Sequence, residues 1–150
     1  MNKETRYSRV TEQLKDLLVQ TRDPVARMAT MAALLHHKLD GFFWTGFYLL
    51  REGELIVGPY QGPLACQVLE KHRGVCWASI DGNNPVIVPD VHKFPGHITC
   101  DSRSRSEIAI PVRGSVNKVL AVLDVDSKIP DHFDQADASA LERMVAMVYA

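Results

Sequence analysis

The sequence predicts an α+β domain built around an antiparallel sheet, and three features lead to this fold class. Two segments near the N-terminus have apolar residues at helical spacing. Two pairs of apolar segments follow, each joined by a short turn, and the final segment is again helical. Hairpin strands flanked by helices are typical of α+β folds. A chain of 150 residues fits one domain of ordinary size, so we expect a single domain over residues 1–150.

The first helix is predicted from about residue 3 to residue 20, where charged residues separate apolar ones at intervals of three and four. A second helix begins at Asp23-Pro24, because aspartate is a good N-cap and proline suits the first helical position. Asp40-Gly41 ends this helix.

Strands are predicted for the middle of the chain, with one short helix between them. Pro111 indicates that its strand runs at a sheet edge or beside a bulge. A last helix is predicted over residues 133–150, with Asp134 as its N-cap. The strand segments are residues 42–50 paired with 55–60, a short strand within 64–69, another at 86–88, and residues 107–112 paired with 118–126, while residues 74–80 form the short helix.

The segment from Pro89 to Ser106 has neither helical nor strand periodicity, although apolar strands flank it on both sides. It contains two histidines, one cysteine, two arginines and two aspartates. Irregular loops of this length inside a compact domain are usually functional or disordered. We interpret it as an active-site loop in which the sulfur of Cys100 is the reacting atom.

Composition excludes several functional classes. A formal net charge of -1 does not favour capture of nucleic acid or of an anionic membrane. No apolar run is long enough to span a membrane, and the charged N-terminus does not resemble a secretory signal. Three cysteines are too few for a disulfide scaffold, so we expect a cytoplasmic protein with reduced thiols at rest.

Each cysteine alone would most often be a small buried apolar residue. Cys66 and Cys100 both lie in loop-like contexts and could approach each other. Arginines beside Cys100 would favour its thiolate, which is the nucleophilic form. Cys76 falls in the first turn of the short helix, where the helix dipole lowers a thiol pKa, so Cys76 is a rival nucleophile.

Three acidic residues are predicted to converge beside this loop. Asp124 and Asp126 are two positions apart on one strand and therefore share a face. If Arg113 pairs with Lys118 in the hairpin, Glu107 lies opposite Asp124 on that same face. Such crowding is unfavourable unless a carboxyl is protonated or a cation lies between them, and the cation could be an ammonium or a metal.

A metal site is the alternative that we considered for these groups. His92, His97 and Cys100 are possible ligands, with Cys66 or Cys76 as the fourth. Their spacing matches no common zinc pattern, so we expect no metal and interpret both histidines as support for the loop. The sequence also contains no glycine-rich nucleotide motif and no Gly-x-Ser-x-Gly elbow.

Seven short motifs and one cysteine spacing form a recognisable set. The motifs are residues 44–49, 58–62, 74–76, 90–92, 96–101, 106–108 and 123–127, and the spacing is Cys66-x9-Cys76-x23-Cys100. Together they resemble the free methionine-(R)-sulfoxide reductases, enzymes built on a single GAF domain, from about residue 44 to residue 134. The resemblance implies a central antiparallel sheet with the N- and C-terminal helices on one side and the active-site loop on the other.

The resemblance assigns a role to each cysteine. Cys100 would attack the sulfoxide sulfur and become a sulfenic acid, and Cys66 would then form a disulfide with it. Thioredoxin would be the external reductant, with no bound cofactor. Cys76 would be an auxiliary resolving or pocket thiol, which overrules the helix-dipole argument for it.

The resemblance also places the substrate. Glu107, Asp124 and Asp126 would receive the ammonium of a free amino acid and supply a proton to the sulfoxide oxygen. Trp44 and Tyr48 would form the wall around the methyl and thioether end. The substrate carboxylate would rest on the backbone N–H groups of residues 74–76.

The chain departs from the family pattern at Trp77 and at Lys71-His72-Arg73, where smaller residues are expected, and the resulting pocket shape and position of Cys76 are left open. The alternative function is a GAF sensor domain that binds a small ligand without turnover, although such a sensor has no need of both Cys66 and Cys100. A homodimer is left open.

Overall fold

The computed structural model describes residues 1–97 and 100–150, and its centre is a six-stranded sheet in which every pair of neighbours is antiparallel. This arrangement confirms the predicted α+β class. The strands are β1 (Trp44–Arg51), β2 (Glu54–Gln61), β3 (Val68–Leu69), β4 (Val86–Val88), β5 (Ser106–Arg113) and β6 (Val119–Ser127), and the helices are α1 (Lys3–Leu18), α2 (Pro24–Lys38), α3 (Gly74–Gly82) and α4 (Gln135–Val145). Their order across the sheet is β3-β2-β1-β6-β5-β4.

Helix ends follow the predicted capping residues closely. The Asp23 side chain accepts a hydrogen bond from the backbone N–H of Ala26 at the start of α2. Asp134 caps α4 and forms a capping box with Asp137. α4 ends at Val145, which is earlier than the predicted end at residue 150.

One face of the sheet is covered by α1, α2 and α4, and this interface is the main hydrophobic core. Phe47, Ile108 and Leu123 point from the sheet into this core and are fully buried. A polar link joins α1 to α4 at its edge, because the Tyr7 hydroxyl donates to Asp137 at 2.6 Å and Lys3 donates to the same carboxylate at 2.7 Å. The N- and C-terminal helices therefore lie on one side, as predicted.

The other face is covered by α3 and by the loop between β4 and β5. Backbone hydrogen bonds hold both ends of this loop: Val91 N–H to Arg105 O (2.9 Å) and Arg105 N–H to Ser127 O (2.8 Å). A short 3-10 turn over Val91–Lys93 lies within it. The loop is thus tied to the sheet at its base by backbone hydrogen bonds.

The register of the second hairpin differs from the prediction. Glu107 lies opposite Asp126, and Asp124 lies opposite Ala109. The predicted pairing of Arg113 with Lys118 is wrong, because an irregularity between Val112 and Arg113 shifts the register beside the turn. The shift is an even number of residues over most of the hairpin, so the three acidic side chains still share one face.

Of two further strand predictions, one is confirmed and the other gives a strand that is too long. Pro111 lies beyond the segment of β5 that pairs with β4 and next to the irregularity, which confirms its predicted edge or bulge position. The predicted strand within residues 64–69 is reduced to Val68–Leu69, and residues 64–67 form a loop. Within residues 1–97 and 100–150, no helix is both long enough and apolar enough to cross a membrane.

Candidate active site

A pocket opens on the sheet face opposite α1, α2 and α4. Strands β1, β5 and β6 form its floor, the N-terminal turn of α3 forms one side, and the loops around Cys66 and Cys100 form its rim. Seven of the eight predicted site residues line it, and Cys66 reaches it through its bond to Cys100. The lining residues are Trp44, Tyr48, Leu64, Ala65, Leu69, Arg73, Gly74, Val75, Cys76, His97, Cys100, Asp101, Ser104, Glu107, Asp124 and Asp126.

Cys66 and Cys100 are joined by a disulfide that closes the rim of this pocket, with their Cα atoms 5.6 Å apart. They come from two loops separated by 34 positions in sequence. Cys100 is exposed, whereas Cys66 is half-buried and its carbonyl accepts a hydrogen bond from the Tyr48 hydroxyl at 3.3 Å. The pocket wall and the loop of Cys66 are therefore directly connected.

Cys76 is a free thiol on the pocket floor, and only 4% of it is exposed. Burial raises the pKa of this thiol well above its ordinary value, and the neighbouring acids Asp124, Glu107 and Asp126 raise it further. Burial outweighs the helix-dipole argument for Cys76, since a dipole effect of about 0.3–1 kcal/mol is smaller than the cost of ionising a buried group. Cys76 remains a protonated pocket thiol.

Glu107, Asp124 and Asp126 meet on the pocket floor as a compact acidic cluster. Burial raises the pKa of Glu107 well above its ordinary value, and the two aspartates raise it further. The pKa of Asp126 is also well raised, first by burial and then by Asp124, and burial raises that of Asp124. Since adjacent buried carboxylates cannot all be ionised, the cluster retains protons at neutral pH.

The metal ligands considered from sequence do not all meet at one place. His97, Cys76 and Cys100 line the pocket and Cys66 is bonded to Cys100, whereas His92 is exposed and outside the pocket lining. A different group, Cys76 with Glu107 and Asp124, places one potential ligand atom from each residue within 4.8 Å of the others. Glu107 and Asp124 belong to the acidic cluster, and Cys76 lies beside them on the pocket floor.

An aromatic wall rises from β1 beside this acidic floor. The rings of Trp44 and Tyr48 stack with centroids 5.7 Å apart, and Tyr60 stacks on the outer side of Trp44 at 5.2 Å. Burial raises the pKa of Tyr48, as do Asp124 and Cys76, so its hydroxyl stays a hydrogen-bond donor. Tyr60 was not identified from sequence, because pairing of β2 against β1 creates its contact with Trp44.

His97, Ser104 and Arg73 also line the pocket and were not predicted to be site residues. His97 Nδ1 lies 3.9 Å from Glu107 Oε1, and burial, with a contribution from His92, lowers its pKa. His97 is therefore neutral at physiological pH. In the sequence, His97 was a possible metal ligand within the 96–101 motif, and neither signal separated a pocket residue from loop support.

The two departures from the family pattern lie differently relative to the pocket. Trp77 is buried outside the pocket lining, with its ring centroid 4.6 Å from that of His72. Of the segment Lys71-His72-Arg73, Arg73 lines the pocket.

Known proteins similar to this chain cover nearly all of it, although a scan against protein-family models found no match. The chain is 36% identical over 148 residues to the free methionine-R-sulfoxide reductase of Escherichia coli, covering 99% of this chain and 89% of that protein. It is 40% identical over 131 residues to the Saccharomyces cerevisiae protein of the same name, covering 83% and 73%.

Solved structures show the same relationship. The free methionine-R-sulfoxide reductase of Neisseria meningitidis, solved in complex with its substrate, matches with a TM-score of 0.94 and 38% identity, covering 99% of this chain and 89% of that one. A structure described as a GAF domain matches with a TM-score of 0.93 and 32% identity, covering 99% and 88%. The fold is therefore a GAF fold, as the sequence resemblance implied.

Proposed function

We propose that this chain, which belongs to the family of free methionine-R-sulfoxide reductases, reduces free methionine-(R)-sulfoxide to methionine in the pocket described above. One observation carries the proposal: a disulfide between Cys66 and Cys100 closes the rim of a pocket whose floor is a buried acidic cluster. A thiol pair supplies two electrons and the cluster supplies protons, which are what reduction of a sulfoxide consumes.

In the first step, the thiolate of reduced Cys100 attacks the sulfoxide sulfur. The sulfur–oxygen bond of the substrate breaks, the oxygen passes to Cys100, and methionine leaves. Cys100 is thereby oxidised to a sulfenic acid while the substrate sulfur is reduced by two electrons. The exposure of Cys100 at the pocket rim is what this attack requires.

Glu107 is the proton donor in this proposal. The sulfoxide oxygen becomes more basic as its bond to sulfur breaks, and a nearby protonated carboxyl can transfer a proton to it. Glu107 is buried between Asp124 and Asp126, so it holds a proton at neutral pH. His97 lies 3.9 Å away and is neutral, which leaves the proton on the carboxyl.

The remaining groups orient the substrate. Its ammonium lies against Asp124 and Asp126, where a positive charge relieves the repulsion between carboxylates. Its methyl and thioether end packs against Trp44 and Tyr48, which form a stacked aromatic pair. Its carboxylate lies at the N-terminal turn of α3, where the N-cap residue Arg73 makes no side-chain capping hydrogen bond within the described residues.

In the second step, the thiol of Cys66 attacks the sulfenic sulfur of Cys100, water leaves, and the disulfide forms. A thioredoxin-class dithiol then reduces this disulfide by thiol–disulfide exchange and regenerates both thiols. No bound cofactor is required, because the two electrons come from the external dithiol. We place the reaction in the cytoplasm, where dithiol reductants keep cysteines reduced.

A turnover assay tests this proposal directly. The protein is supplied with thioredoxin, thioredoxin reductase and NADPH, and with each sulfoxide epimer as the free amino acid or within a peptide. We expect NADPH oxidation with the free R epimer and little with the S epimer or the peptides. Binding of the free R epimer without turnover would instead favour the sensor alternative, and turnover of the peptides alone would contradict the substrate assignment.

A further inference from the structure

The charged groups around the pocket are unevenly distributed. Four acidic residues line it, namely Asp101, Glu107, Asp124 and Asp126. Among the described lining residues, Arg73 is the one arginine or lysine side chain. An arginine stays protonated at any physiological pH. The pocket therefore has an acidic floor and a single permanent positive charge.

Arg73 stands at the start of α3, opposite the tip of the loop that carries Cys100. It is the N-cap residue of that helix, and its side chain forms no capping hydrogen bond. A Cβ atom added at Gly96 would lie 3.7 Å from the backbone nitrogen of Gly74 and 3.8 Å from Arg73 Nε. The loop tip thus passes directly over the helix start and the guanidinium.

The guanidinium of Arg73 has only a weak competing partner. Its Nη1 atom lies 3.0 Å from Glu70 Oε2, in an ion pair whose side chains are 55% and 65% exposed. Exposed pairs of this kind are readily exchanged for other partners, because solvent screens them and the side chains remain mobile. Arg73 is therefore able to turn toward an anionic ligand in the pocket.

Two buried polar atoms in the pocket point independently to a ligand. Asp124 Oδ1 and Trp44 Nε1 have no hydrogen-bond partner in the part of the chain that the structure describes, although each residue is only 5% exposed. Buried polar atoms are nearly always paired, so these two are expected to be satisfied when the site is filled. A ligand ammonium at Asp124 would fix that end of a zwitterion on the acidic floor.

We propose that Arg73 binds the free α-carboxylate of the substrate and thereby selects the free amino acid over an amide or a peptide bond. The inference rests on the proposed function for the identity of the substrate. With the ammonium at Asp124, the carboxylate needs an electropositive partner, and Arg73 with the N-terminal turn of α3 provides it. A neutral amide at this position cannot form an ion pair with the guanidinium of Arg73.

The test compares two substrates in matched variants. Free methionine sulfoxide and its α-carboxamide are assayed with the wild type, Arg73→Gln, Arg73→Lys and the control Lys71→Gln, whose exposed side chain is outside the pocket lining. We expect Arg73→Gln to lower kcat/KM for the free acid about 10–100-fold, mainly through KM, since hydrogen bonds between charged groups contribute roughly 1.5–3 kcal/mol. The amide should lose less than about threefold, since no charge-assisted bond is removed from it.

Arg73→Lys should lower kcat/KM for the free acid less than Arg73→Gln does, because lysine keeps a positive charge. The recovery should be partial, because an ammonium lacks the planar fork of a guanidinium. Lys71→Gln should leave kcat/KM unchanged for both the free acid and the amide. Equal losses on acid and amide in Arg73→Gln would show a merely structural role and overturn the inference, as would no loss on either.

A binding experiment keeps this inference separate from the proposed function. Calorimetric titration of the oxidised protein with methionine and with methioninamide requires no turnover. A preference for methionine that disappears in Arg73→Gln supports the role of Arg73 even if the chain reduces no sulfoxide. Equal binding of both ligands by the wild type overturns it even if the reductase assay succeeds.

Discussion

Glu107 shows how much the surroundings of one residue can change its chemistry. The carboxyl lies on β5 directly opposite Asp126, is 5% exposed, and has Asp124 on the same sheet face. An exposed glutamate is ionised at neutral pH and cannot donate a proton. Burial and the two aspartates keep this one protonated, which makes it a general acid in the proposed reaction.

Replacing Glu107 by Gln should slow methionine formation by about 10²–10⁴-fold, which is the usual contribution of a positioned acid. Gln has nearly the same shape but has no acidic proton to give to the sulfoxide oxygen. The measurement is methionine release in a single turnover of the reduced enzyme. Lys93→Gln, in an exposed loop position, is the matched control and should keep the wild-type rate. Equal rates in the two variants would show that the acidic cluster is not the site.

The same carboxyl should give the reaction a pH dependence. The acid form of Glu107 is populated below its raised pKa, so the single-turnover rate should fall as the pH rises through that value. Glu107→Gln should lack this alkaline decrease, whereas the wild type and Lys93→Gln should show it. Rates measured from pH 5 to pH 9 test this expectation, and an alkaline decrease that persists in Glu107→Gln would assign it to another group.

Replacing Cys100 by serine should affect methionine formation far more than replacing Cys76 by serine. Cys100→Ser should abolish methionine formation, because a serine hydroxyl is a far weaker nucleophile than a thiolate. Cys76→Ser should retain the first turnover, since its buried thiol stays protonated and does not attack. Quantifying methionine after one turnover separates the two variants. Undiminished activity in Cys100→Ser would contradict the proposed mechanism.

At the scale of elements, the site depends on two loops that meet above the sheet. The Cys100 loop is held by backbone hydrogen bonds at its base and by a side-chain bracket beyond the cysteine. In this bracket, Arg103 donates to both carboxylate oxygens of Asp101, at 2.9 and 2.7 Å, and its guanidinium lies 4.9 Å from the Phe43 ring centroid. The paired guanidinium lowers the pKa of Asp101 to about 2. Cys100 is thus attached to a segment that has anchoring contacts in addition to the disulfide.

The other loop is needed only for the second step. In Cys66→Ser, the first turnover should release one methionine per chain and then stop, because the sulfenic acid of Cys100 has lost its resolving partner. Trapping with a sulfenic-acid reagent and mass spectrometry should detect the modified Cys100. Continued turnover at the wild-type rate with thioredoxin would show that another thiol resolves the intermediate, and the double variant with Cys76→Ser would test whether that thiol is Cys76.

Sequence patterns were sufficient for most elements and failed where pairing is irregular. The Asp23 and Asp134 caps and the short helix α3 follow from local residue preferences, and the structure contains all of them. The hairpin register was missed because the irregularity beside Arg113 depends on contacts between β5 and β6 rather than on local sequence. The final helix ends early, at Val145, and no single residue in the sequence marks that position.

For the whole molecule, the acidic cluster has a cost in stability that depends on pH. Below the ordinary pKa of glutamate, the folded and unfolded chains are both protonated at Glu107. As the pH rises, the unfolded chain releases this proton first, so the free energy of unfolding decreases until the raised pKa of the folded state is reached. Each pH unit in this window lowers the free energy of unfolding by about 1.4 kcal/mol for one such group.

Glu107→Gln should therefore be more stable than the wild type at pH 8, with a smaller difference at pH 5. The gain at pH 8 is expected to be on the order of 1 kcal/mol or more, because the substitution removes a buried acid from the site. Urea unfolding of the oxidised proteins at both pH values measures it. A difference that is constant with pH would mean that titration of Glu107 does not contribute to stability.

By itself, the sequence determined the α+β class and most helix and strand positions, because periodicity and capping residues are local properties of the chain. The spacing of the three cysteines supported the family resemblance, and that resemblance implied the pairing of Cys66 with Cys100. The tertiary structure alone decided which groups are protonated and which line the pocket. Only there do Cys76 and Glu107 become buried beside other acids, and only there does Arg73 face that acidic floor. Burial and the distances between charges depend on residues far apart in sequence, so no local pattern could have specified them.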